Sequence, residues 1–140
     1  MMVISRSSRE TYRLGIEISK ILKIKDIVSI YGELGTGKTR IIQGICRGLG
    51  VKERVTSPSF ALINEYSGKL KVYHFDFFRV NSLSEAMELG CIDYFYDDGI
   101  CLIEWPEKIE KLLPEKRINV IIQYHKERKN WRRIEIIRNP

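Results

Sequence analysis

Cysteine is scarce in this 140-residue chain, and the three present, Cys46, Cys91 and Cys101, form no Cys-x-x-Cys pair. An odd number without metal-ligand spacing argues against a disulfide framework or a zinc site and predicts buried, reduced thiols. No apolar run approaches the length of a membrane span, and the stretch Met1 to Glu10 is too polar for a signal peptide, so a cytoplasmic protein is expected. No long Pro, Gly or Ser stretch divides the chain, and no internal repeat or low-complexity segment is visible. Residues 1–140 are therefore expected to form one domain, large enough for a real core but without room for a second, substrate-binding one.

The formal charge is +6, with a pI of about 9.3. Such a balance permits contact with nucleic acid, and Lys126, Arg128, Lys129, Arg132, Arg133 and Arg138 concentrate part of it towards the end of the chain. Acidic residues interleave the rest and no RNA-binding motif accompanies it. A solvated basic face accounts for the pattern as well as a binding patch does.

Against these absences stands one dense motif. Residues Gly32 to Thr39 read Gly-Glu-Leu-Gly-Thr-Gly-Lys-Thr. They follow the apolar run Ile27, Val28, Ile30, Tyr31 and precede Ile41, Ile42, Ile45, Cys46 and Leu49, spaced as one helix face up to Gly50. Strand, glycine-rich loop and helix in that order make a P-loop, a cradle for nucleotide phosphates. Its glycines free the backbone to wrap an anion with N–H groups, Lys38 reaches the terminal phosphates, and the Thr39 hydroxyl holds Mg²⁺. The helix starting at Thr39 adds its positive end. Glu33, Leu34, Gly35, Thr36, Gly37, Lys38 and Thr39 are the candidate cradle.

The rest of the chain supplies a sheet and its cover. Ser7 and Glu10 have capping-box spacing, and Leu14, Ile18, Ile21 and Leu22 then recur at helical intervals up to the break at Lys23 to Asp26. Ala61 to Tyr66 and Leu70 to Phe75 flank Ser67-Gly68-Lys69 as a β-hairpin. Ser82 and Glu85 repeat the capping-box spacing before a short helix that Gly90 ends. Ile100 to Ile103 reads as a central strand buried on both faces, and Pro106 opens a helix carrying Ile109, Leu112 and Leu113. Ile118 to Tyr124 and Trp131 to Ile137 form a final hairpin. The expected fold is a three-layer α/β P-loop NTPase fold: a mixed, mostly parallel central sheet with hairpins and flanking helices.

Phosphoryl chemistry on a Mg-nucleotide also needs a carboxylate at a strand end near the P-loop. Ile100-Cys101-Leu102-Ile103-Glu104 is an all-apolar strand delivering an acid, which favours Glu104 as the metal-side carboxylate. Val72-Tyr73-His74-Phe75-Asp76 alternates and also ends in an acid, so Asp76 becomes the candidate for orienting the attacking water, with a helix or turn cap as the plainer reading. His74 shares a strand face with Asp76, yet a lone histidine is more often structural. Thr56-Ser57-Pro58-Ser59 is either a phosphate-sensing switch loop or an ordinary turn. Trp105 is either a packing residue or a site wall.

Several motifs then coincide in order: the P-loop, Thr-Ser-Pro-Ser-Phe from Thr56 followed by Asn64-Glu65-Tyr66, Tyr-His-Phe-Asp-Phe-Phe-Arg from Tyr73, and Leu-Ile-Glu-Trp-Pro-Glu from Leu102. Together they resemble the TsaE (YjeE) family of small bacterial ATPases over nearly the whole chain. The resemblance implies ATP and Mg²⁺ as cofactors and a role in making threonylcarbamoyladenosine at position 37 of tRNAs that read codons beginning with A. It further implies that ATP hydrolysis supports turnover of a partner complex of TsaB and TsaD, with tRNA met indirectly or weakly. By similarity Lys38 and Thr39 carry phosphate and Mg²⁺, Glu104 is the metal-side acid, Asp76 and Trp105 are activity residues, and Thr56, Ser57 and Ser59 belong to a switch. The same resemblance brings the nucleotide base near Ser7 and Arg128. The rival readings are a small-molecule kinase, for which only Phe60 to Arg79 offers a possible lid, and a nucleotide-gated binding module.

Overall fold

The computed structural model describes residues 1–58 and 62–139. Seven strands and their connecting helices follow in the order β1 (Met2–Ser5), α1 (Ser8–Ser19), β2 (Ile27–Tyr31), α2 (Lys38–Gly48), β3 (Ile63–Ser67), β4 (Lys71–Asp76), α3 (Leu83–Glu88), α4 (Cys91–Phe95), β5 (Gly99–Glu104), a 3₁₀ helix (Pro106–Leu112), β6 (Arg117–Tyr124) and β7 (Arg132–Asn139). The strands form one sheet in the order β1-β7-β6-β2-β5-β4-β3. Its centre, β6-β2-β5-β4, is parallel, and both flanks are closed by antiparallel pairs: β3 on β4, and β6-β7-β1 on the other side.

The period-2 alternation of the central strands sorts their side chains into two cores. On one face Val28, Ile30, Ile100, Leu102 and Val120 meet Ile18 of α1 and Ile41, Ile42 and Ile45 of α2. On the other, Ile27, Tyr73, Phe75, Cys101 and Ile103 meet Ala86 of α3, Phe95 of α4 and Ile109 of the 3₁₀ helix. Helices on both sides of one mixed sheet make the three layers expected from the sequence. Among the described residues no helix is long and apolar enough to cross a membrane.

Both capping boxes form. Ser7 accepts the Glu10 amide at 3.1 Å while Glu10 accepts the Arg6 amide at 3.2 Å, and Ser82 and Glu85 repeat the arrangement at 3.2 and 3.0 Å. Each cap stabilises its helix start by about 1 kcal/mol. Helix α1 is shorter than its apolar spacing suggests: it stops at Ser19, and Ile21 lies beyond it, 54% exposed. The helix expected after Pro106 is a 3₁₀ segment broken by non-helical angles at Ile109. Two elements have no sequence expectation, the edge strand β1 and the short α4. All three cysteines are buried and unpaired, as their scarcity and apolar surroundings predict.

This topology fixes where chemistry can occur. Parallel pairing puts the carboxyl ends of β2, β5 and β4 on one edge, where ligands of open α/β sheets bind. The P-loop leaves β2 at that edge, and β5 and β4 end there in Glu104 and Asp76.

Candidate functional site

The loop from Gly32 to Gly37 turns back into α2 through Gly37, whose φ of 109° lies where only glycine sits without strain. Lys38 is therefore the first residue of α2, buried to 6% exposure, and its ammonium donates to the Gly32 carbonyl. The same ammonium lies 3.6 Å from the centre of the Trp105 ring. Burial depresses the Lys38 pKa, and the nearby Glu104, Glu107 and Asp76 act in the opposite direction. Trp105 holds its place with left-handed backbone angles, φ 56° and ψ 48°, an arrangement costing about 1–3 kcal/mol in a bulky residue. Phe78 packs against that indole, ring centres 4.9 Å apart.

One residue further, Thr39 Oγ1 is 2.8 Å from Ser57 Oγ and 3.3 Å from Glu104 Oε1, and Ser57 Oγ is 3.4 Å from Glu104 Oε2. Strand β5 delivers Glu104 here because it lies directly beside β2, the position its all-apolar pattern suits. Asp76 is the register partner of Glu104 on the neighbouring strand. Its Oδ1 accepts the Phe78 amide at 2.9 Å, and partial burial raises its pKa, with Glu104 adding to the rise. Leu34, Gly35, Gly37, Lys38, Thr39, Ser57, Asp76, Glu104 and Trp105 line a common cleft of about 460 Å³.

The segment carrying Thr56 and Ser57 is tied to β3. The Thr56 amide meets the Tyr66 hydroxyl at 3.3 Å, and the Thr56 carbonyl accepts Asn64 Nδ2 at 3.1 Å and the Tyr66 hydroxyl at 3.2 Å. Ser57 reaches the oxygen cluster from this anchored segment. Ser59 lies outside the described residues.

A family model described as Threonylcarbamoyl adenosine biosynthesis protein TsaE matches residues 5–134. The chain belongs to the TsaE family. It is 36% identical over 123 residues to a Treponema pallidum protein named tRNA threonylcarbamoyladenosine biosynthesis protein TsaE, covering 88% of this chain and 91% of that one. A Haemophilus influenzae protein of the same name is 42% identical, over 79% of this chain and 69% of its own. The crystal structure of Bacillus subtilis YdiB superimposes with a TM-score of 0.83 at 30% identity, covering 100% of this chain and 86% of that chain.

In this TsaE-family chain the other candidates are Glu33 and Leu34 of the P-loop, Ser7 and Arg128. Glu33 is exposed and its carbonyl accepts both the amide and the hydroxyl of Thr36, at 3.2 and 2.8 Å. Leu34 is 72% exposed. Ser7 spends its hydroxyl as the α1 cap. Arg128, in the β6–β7 turn, lies 5.2 Å from the Trp131 ring, and Arg6, beside Ser7, lies 5.1 Å from the same ring. The start of the chain and the last hairpin therefore meet across Trp131.

His74 is the site residue that the sequence undervalued. It is fully buried, its Nε2 lies 2.8 Å from Glu104 Oε2, and its Nδ1 has no partner among the described residues. The signal was its place two residues before Asp76 on the same strand face.

The donor set suits a hard cation. Two hydroxyls and one carboxylate match Mg²⁺, which takes few protein oxygens and keeps positions for phosphate and water. Among the described residues no group of three or more His, Cys, Asp or Glu side chains is disposed to hold a metal alone.

Proposed function

We propose that this chain is a Mg²⁺-dependent ATPase of 140 residues acting as one domain in the cytoplasm, serving threonylcarbamoyladenosine formation on tRNA, as the names of its relatives suggest. Its hydrolysis supports repeated turnover of a TsaB–TsaD partner complex, with tRNA met indirectly. The observation that carries the reading is the oxygen cluster of Thr39, Ser57 and Glu104 placed one residue beyond a buried P-loop lysine.

On this reading each residue is assigned a role. Amides of the loop and the Lys38 ammonium bind the terminal phosphates, and the lysine exchanges its contact with the Gly32 carbonyl for them. Thr39 and Glu104 would hold Mg²⁺, which supplies neutralising charge to the phosphates when bound. Asp76, one strand away from Glu104, orients and accepts a proton from the attacking water. Ser57 senses the terminal phosphate from the Thr56 to Ser59 segment. Trp105 forms a wall that keeps Lys38 over the cleft, while Ser7 and Arg128 flank the nucleotide base by the family resemblance alone.

Reconstitution tests this. Threonylcarbamoyl transfer onto tRNA is followed over many turnovers with TsaB and TsaD, adding the wild-type chain or Glu104→Ala. Wild type should sustain turnover and the variant should stall it after the first rounds. Equal turnover with both would overturn the ATPase reading, and phosphate passed stoichiometrically to a hydroxyl acceptor would replace it with a kinase.

A further inference from the structure

The last hairpin reaches the P-loop with two side chains that no reading so far has used. The Tyr124 hydroxyl donates to the Leu34 carbonyl at 2.5 Å. Arg132 Nε donates to the Thr36 carbonyl at 3.0 Å, and its Nη2 approaches the Gly35 carbonyl at 3.5 Å. The guanidinium is itself fixed, because Nη1 donates to the Lys129 and Trp131 carbonyls at 3.0 and 2.9 Å and the group lies 4.8 Å from the Tyr124 ring centre. Arg132 thus leaves the basic face that composition suggested and turns inward.

A trans peptide points its C=O and the following N–H in opposite directions. Holding the Leu34 carbonyl on the hairpin side therefore aims the Gly35 amide the other way, and holding the Thr36 carbonyl does the same for Gly37. Thr36 spends its own amide on the Glu33 carbonyl, 3.2 Å away. Gly35 and Gly37 line the cleft that holds Lys38, whereas Thr36 faces a separate cleft beside the hairpin.

We propose that Tyr124 and Arg132 are positioning residues that lock the P-loop peptide planes so that the Gly35 and Gly37 amides already face the phosphate site before nucleotide arrives. This rests on residues 32–39 being a phosphate cradle. Donors fixed in advance bind developing charge without reorganisation, so loosening the planes lowers phosphate affinity without touching any group that contacts phosphate.

The test is calorimetry of Mg-ADP with wild type, Lys38→Ala, Tyr124→Phe and Arg132→Met, joined to ¹⁵N spectra of the Gly35 and Gly37 amides. Wild type should bind, and Arg132→Met should bind about tenfold more weakly and Tyr124→Phe about threefold, the losses expected for a charged and a neutral hydrogen bond. Melting temperatures should stay close to wild type, and the shifts of the two glycine amides on Mg-ADP addition should shrink in both variants, which a purely structural role would not produce. If Arg132→Met fails to fold, Tyr124→Phe, which deletes one half-exposed hydroxyl, decides the matter alone. Wild-type affinity and wild-type amide shifts in Tyr124→Phe and in any folded Arg132→Met would overturn the proposal while leaving the cradle intact. Absence of binding by wild type would overturn the cradle, and the proposal with it.

Discussion

His74 and Glu104 meet at 2.8 Å on adjacent parallel strands, with the imidazole fully buried and the carboxylate 3% exposed. Nε2 of the histidine takes one carboxylate oxygen, which turns the other, Oε1, towards the Thr39 hydroxyl. A carboxylate oriented by a buried imidazole is a common way to fix a metal ligand, and losing such support costs about 10–100-fold in metal affinity. His74→Leu is therefore expected to raise the Mg²⁺ concentration needed for nucleotide binding by that factor. Binding measured in EDTA should change little. Magnesium titration of nucleotide affinity checks both statements.

Trp105 should report occupancy directly. In a Trp131→Phe background the only remaining indole sits 3.6 Å from the Lys38 ammonium. Phosphate binding gives that ammonium a second partner while it stays against the ring, so the emission of Trp105 should change in intensity on addition of Mg-ATP and not on addition of adenosine. Trp105→Ala, which removes the wall beside Lys38, should cut turnover by about 5- to 30-fold, the factor that corresponds to a cation–π partner worth about 1–2 kcal/mol. Steady-state phosphate release measures it.

Asp76 links activity to stability. Burial lifts its pKa above the ordinary 3.8, so the folded state holds the proton more tightly than the unfolded chain does. The sign follows: the ionised carboxylate disfavours the fold at pH 7, and that penalty disappears as pH falls through the raised pKa towards 3.8 and below. Asp76→Asn, which keeps an acceptor for the Phe78 amide, should raise the apo melting temperature by a few °C at most at pH 7 and by nothing near pH 3. Melting curves across pH in EDTA test this, while turnover should fall with nucleotide affinity retained.

The thiols should be silent. Burial pushes Cys46 and Cys101 up to about 12 and raises Cys91 as well. A thiolate reagent at pH 8 should modify none of the three on the timescale of minutes in the native protein and all three after denaturation. Rapid native labelling would contradict the assignment of all three to the cores.

Legibility in the sequence followed the physics of each element. The P-loop, α2 and β5 were readable because local pattern alone decides them: glycines at fixed spacing, a helical face, and an apolar run suited to a strand paired on both sides. Strand β1 was not, since Met2 to Ser5 is an edge strand whose evidence is its pairing with β7 far along the chain. Helix α4 was too short to show a period. The end of α1 was overrun because Ile21 and Leu22 kept the spacing while the chain had already left the helix. The same limit hid the roles of His74, Tyr124 and Arg132, each of which acquires its partner only through strand register or hairpin placement.

The central claim, that residues 32–39 with Glu104 form a Mg-nucleotide phosphate site, is tested most directly by titrating a non-hydrolysable ATP analogue with Mg²⁺ into the pure chain in a calorimeter, beside Lys38→Ala. The account predicts one site per wild-type chain and a loss of at least about tenfold in affinity for Lys38→Ala, as expected when a charge-assisted contact to phosphate is removed. No heat of binding to wild type at millimolar analogue, or equal affinity in the variant, would contradict it.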